Sequence, residues 1–224
     1  RAAVQASPRD LLARLDLAQL LLQQGKPEAA LPVIEQLVKD EPNNVAALEA
    51  LYRVQAGAKD LDAALKTANA IQALQPKLPL GYYLAGLVQQ GQQKSAEASE
   101  SFSAAVALAP TDWQAYRGQA AAELARGNVD AAISVFRQGI AATKGAAPLV
   151  MELATLLEQQ GRPEEAITEY ETILAADRAH IIAALPIGRG GLDVVEHLEA
   201  ASGVLRGVDN IVARPELAAH VAVD

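Results

Sequence analysis

There is no cysteine among the 224 residues. Disulfides, thiolate nucleophiles and cysteine-ligated metals are thereby excluded, and the absence suits an exported or a cytosolic setting equally. Aromatic residues are scarce, 4% against 51% hydrophobic overall, so alanine and leucine carry most of the apolar content. Those are the two strongest helix formers, whereas β-branched and aromatic runs of the kind that favour strands are rare. Alanine also lets helices cross closely. Positive charge is short too: Lys and Arg total 19 against 27 Asp and Glu, a net charge of −8. Nucleic acid and anionic membrane surfaces attract clustered cations, and no basic run is present, so nucleic acid is not an expected partner. No stretch of 18 apolar residues offers a membrane span. No signal peptide is recognisable, but the chain opens on Arg1 rather than Met. It is therefore expected to be a processed or cut product whose compartment cannot be read from its start.

Residues with catalytic or ligating chemistry form no pattern. His180, His197 and His220 are far apart, and none sits in His-Glu-x-x-His or another metal spacing; they are expected at the surface. Glu164-Glu165 falls at the start of an apolar-periodic segment, where negative charge favours a helix N-terminus without any catalytic role. Gly188-Arg189-Gly190-Gly191 lacks the Gly-Lys-Ser/Thr ending and preceding strand of a phosphate loop. No nucleophile elbow is present. Catalytic residues, metal and cofactor are all expected to be none, and the protein is not expected to be an enzyme.

What the chain does contain is a period. "QQGKPEAA" at 23–30 returns as "QQGRPEEA" at 159–166, four times 34 residues later. Pro8, Pro42, Pro76 and Pro110 stand 34 apart, and the series continues through Lys144 and Arg178. Ala30, Ala64, Ala98, Ala132 and Ala166 keep the same step, as do Ala18, Tyr52, Gly86, Ala120 and Ala154. Repeats of this length mark stacked supersecondary units. The units read as 11–44, 45–78, 79–112, 113–146 and 147–180. Residues 1–10 would be the remnant of a preceding repeat, so the chain is expected to be a fragment of a longer array.

Each unit has two apolar segments around a polar break such as Gly25-Lys26, Lys59-Asp60, Gly127-Asn128 or Gly161-Arg162. In the first unit Leu11, Leu17, Leu20 and Leu21 are read as one helical stripe, and Ala30, Ile34 and Leu37 as a second. Gly25 suits a helix C-terminus, Pro27 the first turn of the next helix, and Glu28 its positive end. Pro42 stops the second helix and Asn43-Asn44 turn the chain into the following unit. The expectation is an all-α, tandem helix–turn–helix solenoid.

The register breaks after residue 180. Pro186, Gly188, Gly190 and Gly191 fall where another helix would continue, and proline and glycine in a helix interior cost about 3 and 1 kcal/mol. Residues 181–224 are read as a non-repeat, partly helical tail, with helices over Leu192–Leu205 and after Pro215. It is either a C-terminal cap of the array or a frame-shifted or cloning-derived end.

These features resemble the tetratricopeptide repeat family. Leu17-Ala18, Ala85-Gly86 and Leu153-Ala154 match the family's first small-residue pair; Ala98, Phe102, Ala105 and Pro110 match its second half, and Ala132–Phe136 and Ala166–Tyr170 match it in part. The resemblance covers residues 11–180. It implies a right-handed superhelix whose first helices line a concave groove for a partner's peptide or helix, with the second helices behind. On that implication Leu12, Leu15, Asp16, Gln19 and Leu22 face the groove from the first unit. Glu49 and Arg53 follow from the second, Tyr83, Leu84 and Leu87 from the third, Arg117, Ala121 and Leu124 from the fourth, and Met151, Glu152 and Thr155 from the fifth. The apolar members would seat apolar anchors, or else pack against neighbouring helices, and Arg53 and Arg117 would orient a ligand backbone or carboxylate. The carboxylate clamp of chaperone-binding members would fall on Leu15, Gln19, Ala50, Leu80 and Leu84; none is cationic or Asn, so a chaperone-tail adaptor is not expected.

Within the family, "LQPKLPLGYYLAGLV", "FSAAVALAP" and "LLEQQGRPEEAITEYETIL" look like units of the bacterial repeat proteins that accompany exosortase (PEP-CTERM) exopolysaccharide systems. That resemblance implies a scaffold in the periplasm or outer envelope. The alternative is a cytosolic regulatory or assembly cofactor, part of a larger multidomain protein. Partner identity and oligomeric state are not legible.

Overall fold

The computed structural model describes residues 11–171. The expectations for residues 1–10, for the three histidines and for the tail after 180 lie outside the described residues. The described residues are helical throughout, without a strand. The helices are α1 (Leu11–Gln23), α2 (Pro27–Asp40), α3 (Val45–Gly57), α4 (Leu61–Leu74), α5 (Pro79–Gly91), α6 (Ser95–Leu108), α7 (Trp113–Ala125), α8 (Val129–Ala142) and α9 (Ala147–Gln159). A last helical stretch, α10, covers 163–171. The odd-numbered helices begin at residues 11, 45, 79, 113 and 147. The 34-residue period of the sequence is therefore the period of the backbone.

One backbone motif closes every first helix. Gly25, Lys59, Gln93, Gly127 and Gly161 all have φ between 61° and 80°. In each corner the next N–H reaches back five residues, Lys26 to the Leu21 carbonyl at 2.9 Å and Lys94 to Gln89 at 2.8 Å being two examples. This is the Schellman arrangement, which satisfies carbonyls that a helix end would otherwise leave bare. The second helix then opens on a favourable residue: Pro27 occupies the first turn of α2, and Asp60 caps α4 by accepting from the Ala63 N–H.

The connections between repeats use different chemistry. Asn44 accepts from the N–H groups of Ala46 and Ala47 at 2.9 and 3.2 Å, and Asp112 accepts from Gln114 at 3.0 Å. Where proline gives way to Lys144, the turn changes: Lys144 and Gly145 take φ of 57° and 92°, and the Gly145 N–H reaches the Ile140 carbonyl at 2.8 Å. The spacing survives because both turns occupy the same number of residues.

The core follows the small-residue register. Ala30, Ala64, Ala98, Ala132 and Ala166 are all at most 1% exposed, each lying where its helix meets a neighbour. Large side chains fill the space around them. Ile34 and Leu37 sit with Ala18, Leu21 and Val54; Tyr52 and Ile71 with Leu48, Leu84 and Val88; Phe136 and Leu149 with Leu153 and Leu157. Each cluster draws on helices of successive units, so no unit buries its apolar face alone. Burial, and then the proximity of Tyr83, pushes the Tyr52 hydroxyl up to about 12.

The stripe read on α1 is corrected. Leu20 is 51% exposed, while Arg14, Ala18 and Leu21 enter the core. Steps of four and three residues keep those three on one face, and Leu20 lies one position, about 100°, away from it. Arg14 is tolerated because its stem packs while Nη1 donates to Asp40 Oδ2 at 2.7 Å. The stripe on α2 is as read, with Ala30, Ile34 and Leu37 at 0–1% exposure.

Polar links join the helices as well. Glu123 on α7 accepts from Ser99 on α6 and from Arg126 and Asn128 in the following corner. Two units earlier Thr67 donates to Gln55 at 2.7 Å, and one unit earlier Gln89 pairs with Ser101 at 2.7 Å. Residues 55, 89 and 123 share one register position, but the first two bond twelve residues ahead within their own unit, whereas Glu123 bonds back to Ser99 of the preceding unit.

Candidate functional site

Side chains of the first helices that do not enter the core share the inner face of the array, the surface that a helical solenoid makes concave. Two cavities open there. The first, about 300 Å³, lies between α1 and α3 and is lined by Leu15, Asp16, Gln19, Leu22, Glu49, Ala50 and Arg53 among others. The second, about 240 Å³, lies among α5, α7 and α9 and is lined by Tyr83, Leu87, Gln90, Gln114, Arg117, Gly118, Ala121 and Glu152.

These two cavities are the same site repeated. Leu15, Gln19 and Leu22 become Tyr83, Leu87 and Gln90, each 68 residues on. Ala46, Glu49, Ala50 and Arg53 become Gln114, Arg117, Gly118 and Ala121 by the same step of two units. Between them the register mate of Ala50 and Gly118 is Leu84, which is buried with Leu48 and Val88. Leu84 thus fills its own step, whereas the volume that Gly118 vacates is taken by the Phe102 ring.

The predicted groove residues divide accordingly. Gln19, Glu49 and Arg53 come together in the first cavity, and Tyr83, Leu87 and Arg117 in the second. Leu84 is 6% exposed and packs with Leu48 and Val88, although its register mates Asp16, Ala50, Gly118 and Glu152 line the cavities. Leu124 is half-buried against the core of α7–α9. Met151 is 50% exposed, and the Thr155 hydroxyl donates to the Met151 carbonyl at 2.9 Å; neither lines either of these two cavities. Their neighbour Glu152 does. Gln90, Gln114 and Gly118 were not singled out by sequence. The signal that finds them is register, since they follow Leu22, Ala46 and Ala50 by two units.

The arginines are engaged rather than free. Arg53 pairs with Glu49 one turn away on α3, and Arg117 Nε lies 2.6 Å from Glu152 Oε1, bridging α7 to α9. Asp16 makes no ion pair or hydrogen bond among the described residues. Tyr83 forms one wall of the second cavity and rests edge-on against the buried Phe102 ring, 5.7 Å between centroids at 60°. Its hydroxyl is raised above the ordinary tyrosine value, first by burial and then by Asp112, with Arg117 opposing. Among the described residues no three His, Cys, Asp or Glu side chains gather to hold a metal, and no helix is long and apolar enough to cross a membrane.

Tetratricopeptide repeat family profiles match residues 1–52, 21–88 and 123–185, and a second such profile matches 83–147. The chain belongs to the tetratricopeptide repeat family. Comparison with curated proteins finds no match. Among solved structures, this tetratricopeptide repeat chain is similar to a crystal structure of MamA at 19% identity and a TM-score of 0.59, over 73% of this chain and 96% of that one. A thermophilic tetratricopeptide repeat protein of Thermus thermophilus aligns at 21% identity and 0.55, over 87% and 98%. The nearly identical repeats of a putative kinesin light chain from Podosopora anserina align at 20% and 0.60, over 77% and 97%. At these identities the likeness is one of fold.

Proposed function

We propose that this tetratricopeptide repeat array is a non-catalytic scaffold that docks a peptide or helix of a partner protein on its inner face. The observation that carries the reading is the pair of register-equivalent cavities, each with apolar walls and a polar rim. Such surfaces take side-chain anchors and use the rim for orientation. The setting proposed is a bacterial envelope assembly of the exopolysaccharide type, on the resemblance of the repeat units noted above; the net charge of −8 is compatible with a protein partner and unfavourable to nucleic acid.

Capture of partners from the source organism, with wild type and with a Tyr83→Ala/Leu87→Ala variant in parallel, tests the docking. Partners are expected to be lost from the variant while its helix content by circular dichroism is unchanged. Equal capture by both proteins would reject the inner face as the docking surface. The envelope setting is tested separately by locating the full-length protein in cell fractions; a wholly cytosolic pool would reject it.

A further inference from the structure

Resting on that docking surface, the two cavities differ in chemistry although they coincide in register. In the second, Tyr83 and Leu87 stand over Gly118 and Ala121, and its one cation, Arg117, is already matched by Glu152. The room left is neutral overall, with Tyr83 and Leu87 as its apolar wall beside Gln90 and Gln114. In the first, the walls are Leu15 and Leu22, but the rim carries Asp16 and Glu49 against a single Arg53. With Arg53 held by Glu49, the charge left over is the carboxylate of Asp16. At the far end of the face Glu158 occupies the register position of Leu22 and Gln90, is exposed, and has no ion-pair partner among the described residues. The cations lining both cavities are spent, and the unspent charges are carboxylates.

We infer that the inner face takes a bipartite, cationic segment of a partner protein: a lysine or arginine in the first cavity and a bulky apolar side chain in the second. A long cationic side chain lays its methylenes along Leu15 and Leu22 and carries its charge to Asp16, the arrangement amphipathic side chains adopt on apolar surfaces. The apolar anchor stacks on Tyr83 and Leu87, which line the second cavity. Helix axes pack about 8–10 Å apart, so two repeat steps separate the anchors by about 20 Å. An extended chain spans that distance in about six residues.

Selection of a displayed library of random 12-residue peptides on the full chain tests this directly. The enriched peptides are expected to carry net positive charge and a Lys or Arg about six residues from a Phe, Trp, Leu or Met. Affinity measured by fluorescence anisotropy should fall about tenfold for Asp16→Lys/Glu158→Lys at low ionic strength and converge with wild type at high salt. Leu87→Ala should weaken binding at every salt concentration. Enriched peptides that are acidic or uncharged, or that ignore the charge reversal, would overturn the inference while leaving inner-face docking intact. Peptides that bind Tyr83→Ala/Leu87→Ala as well as wild type, or no enrichment at all, would overturn both.

Discussion

Gly118 on α7 faces the ring of Phe102 so closely that a Cβ there would lie 2.6 Å from Cε1. Gly86 on α5 meets the same ring, its notional Cβ 2.8 Å from Cε1. One phenylalanine therefore occupies the volume that two glycines vacate, and Tyr83 leans on its edge. Gly118→Ala gains about 1 kcal/mol of helix propensity but overpacks the ring, at a cost of about 1–3 kcal/mol. A net loss of stability in chemical denaturation is expected. Phe102→Leu should cost less in the Gly118→Ala background than alone, since residues in contact are not additive.

The five Schellman corners predict opposite effects of glycine by position. Lys59 and Gln93 hold φ of 61° and 62°, a conformation that costs an L-residue about 1–2 kcal/mol. After allowing for glycine's greater freedom in the unfolded chain, about 0.4–1 kcal/mol, Lys59→Gly and Gln93→Gly should each stabilise by about 0.5 kcal/mol. Gly127→Ala should destabilise by about 1 kcal/mol. Nothing lies within 4 Å of a Cβ built at Gly127, so the last change reports backbone conformation alone. Thermal melts of the three variants check the signs.

Adjacent alanines on α8 should respond very differently to enlargement. Ala132 is fully buried and Ala131 is exposed. Ala132→Leu is expected to cost about 1–3 kcal/mol by overpacking, and Ala131→Leu to stay within about 0.5 kcal/mol of wild type. Matched urea titrations compare them.

Acid sensitivity should be concentrated at two carboxylates. Hydrogen bonds from Arg162 and then Arg137 hold Glu165 down to about 2 from 4.5, and Ser99, followed by Asn128, lowers Glu123. A carboxyl whose folded value is depressed contributes stability that is fully present above its unfolded value and is lost as pH falls through the folded one. Melting temperature is thus expected to drop as pH falls from about 4.5 toward 2. Glu165→Gln should flatten that part of the profile while leaving the profile above pH 5 parallel to wild type.

Most of the architecture was legible because it is written several times. Pro42, Pro76, Pro110 and the alanines at 30, 64, 98, 132 and 166 repeat at one step, so a reading at any unit is checked by the others. The polar corners were legible for the same reason, although Gln93 was passed over because its positive φ is carried by a residue type that seldom adopts it. Leu20 was misread as a stripe member, and the burial of Leu84 was not foreseen. Hydrophobicity alone does not say which of two faces, about 100° apart, meets a neighbouring helix. Gly118 was invisible for the opposite reason, having no side chain to announce its contact with Phe102.

The sequence by itself determined the fold, the repeat length, the turn positions and the absence of any thiol chemistry, since each follows from local propensity and spacing. Only the tertiary structure decided which steps of the inner face are open and which charges on it are spent. Those depend on the volume that Phe102, Leu84 and Gly118 share across three helices, and on Arg117 reaching Glu152 one repeat away. Such contacts join residues far apart in sequence and exist only once the units are stacked.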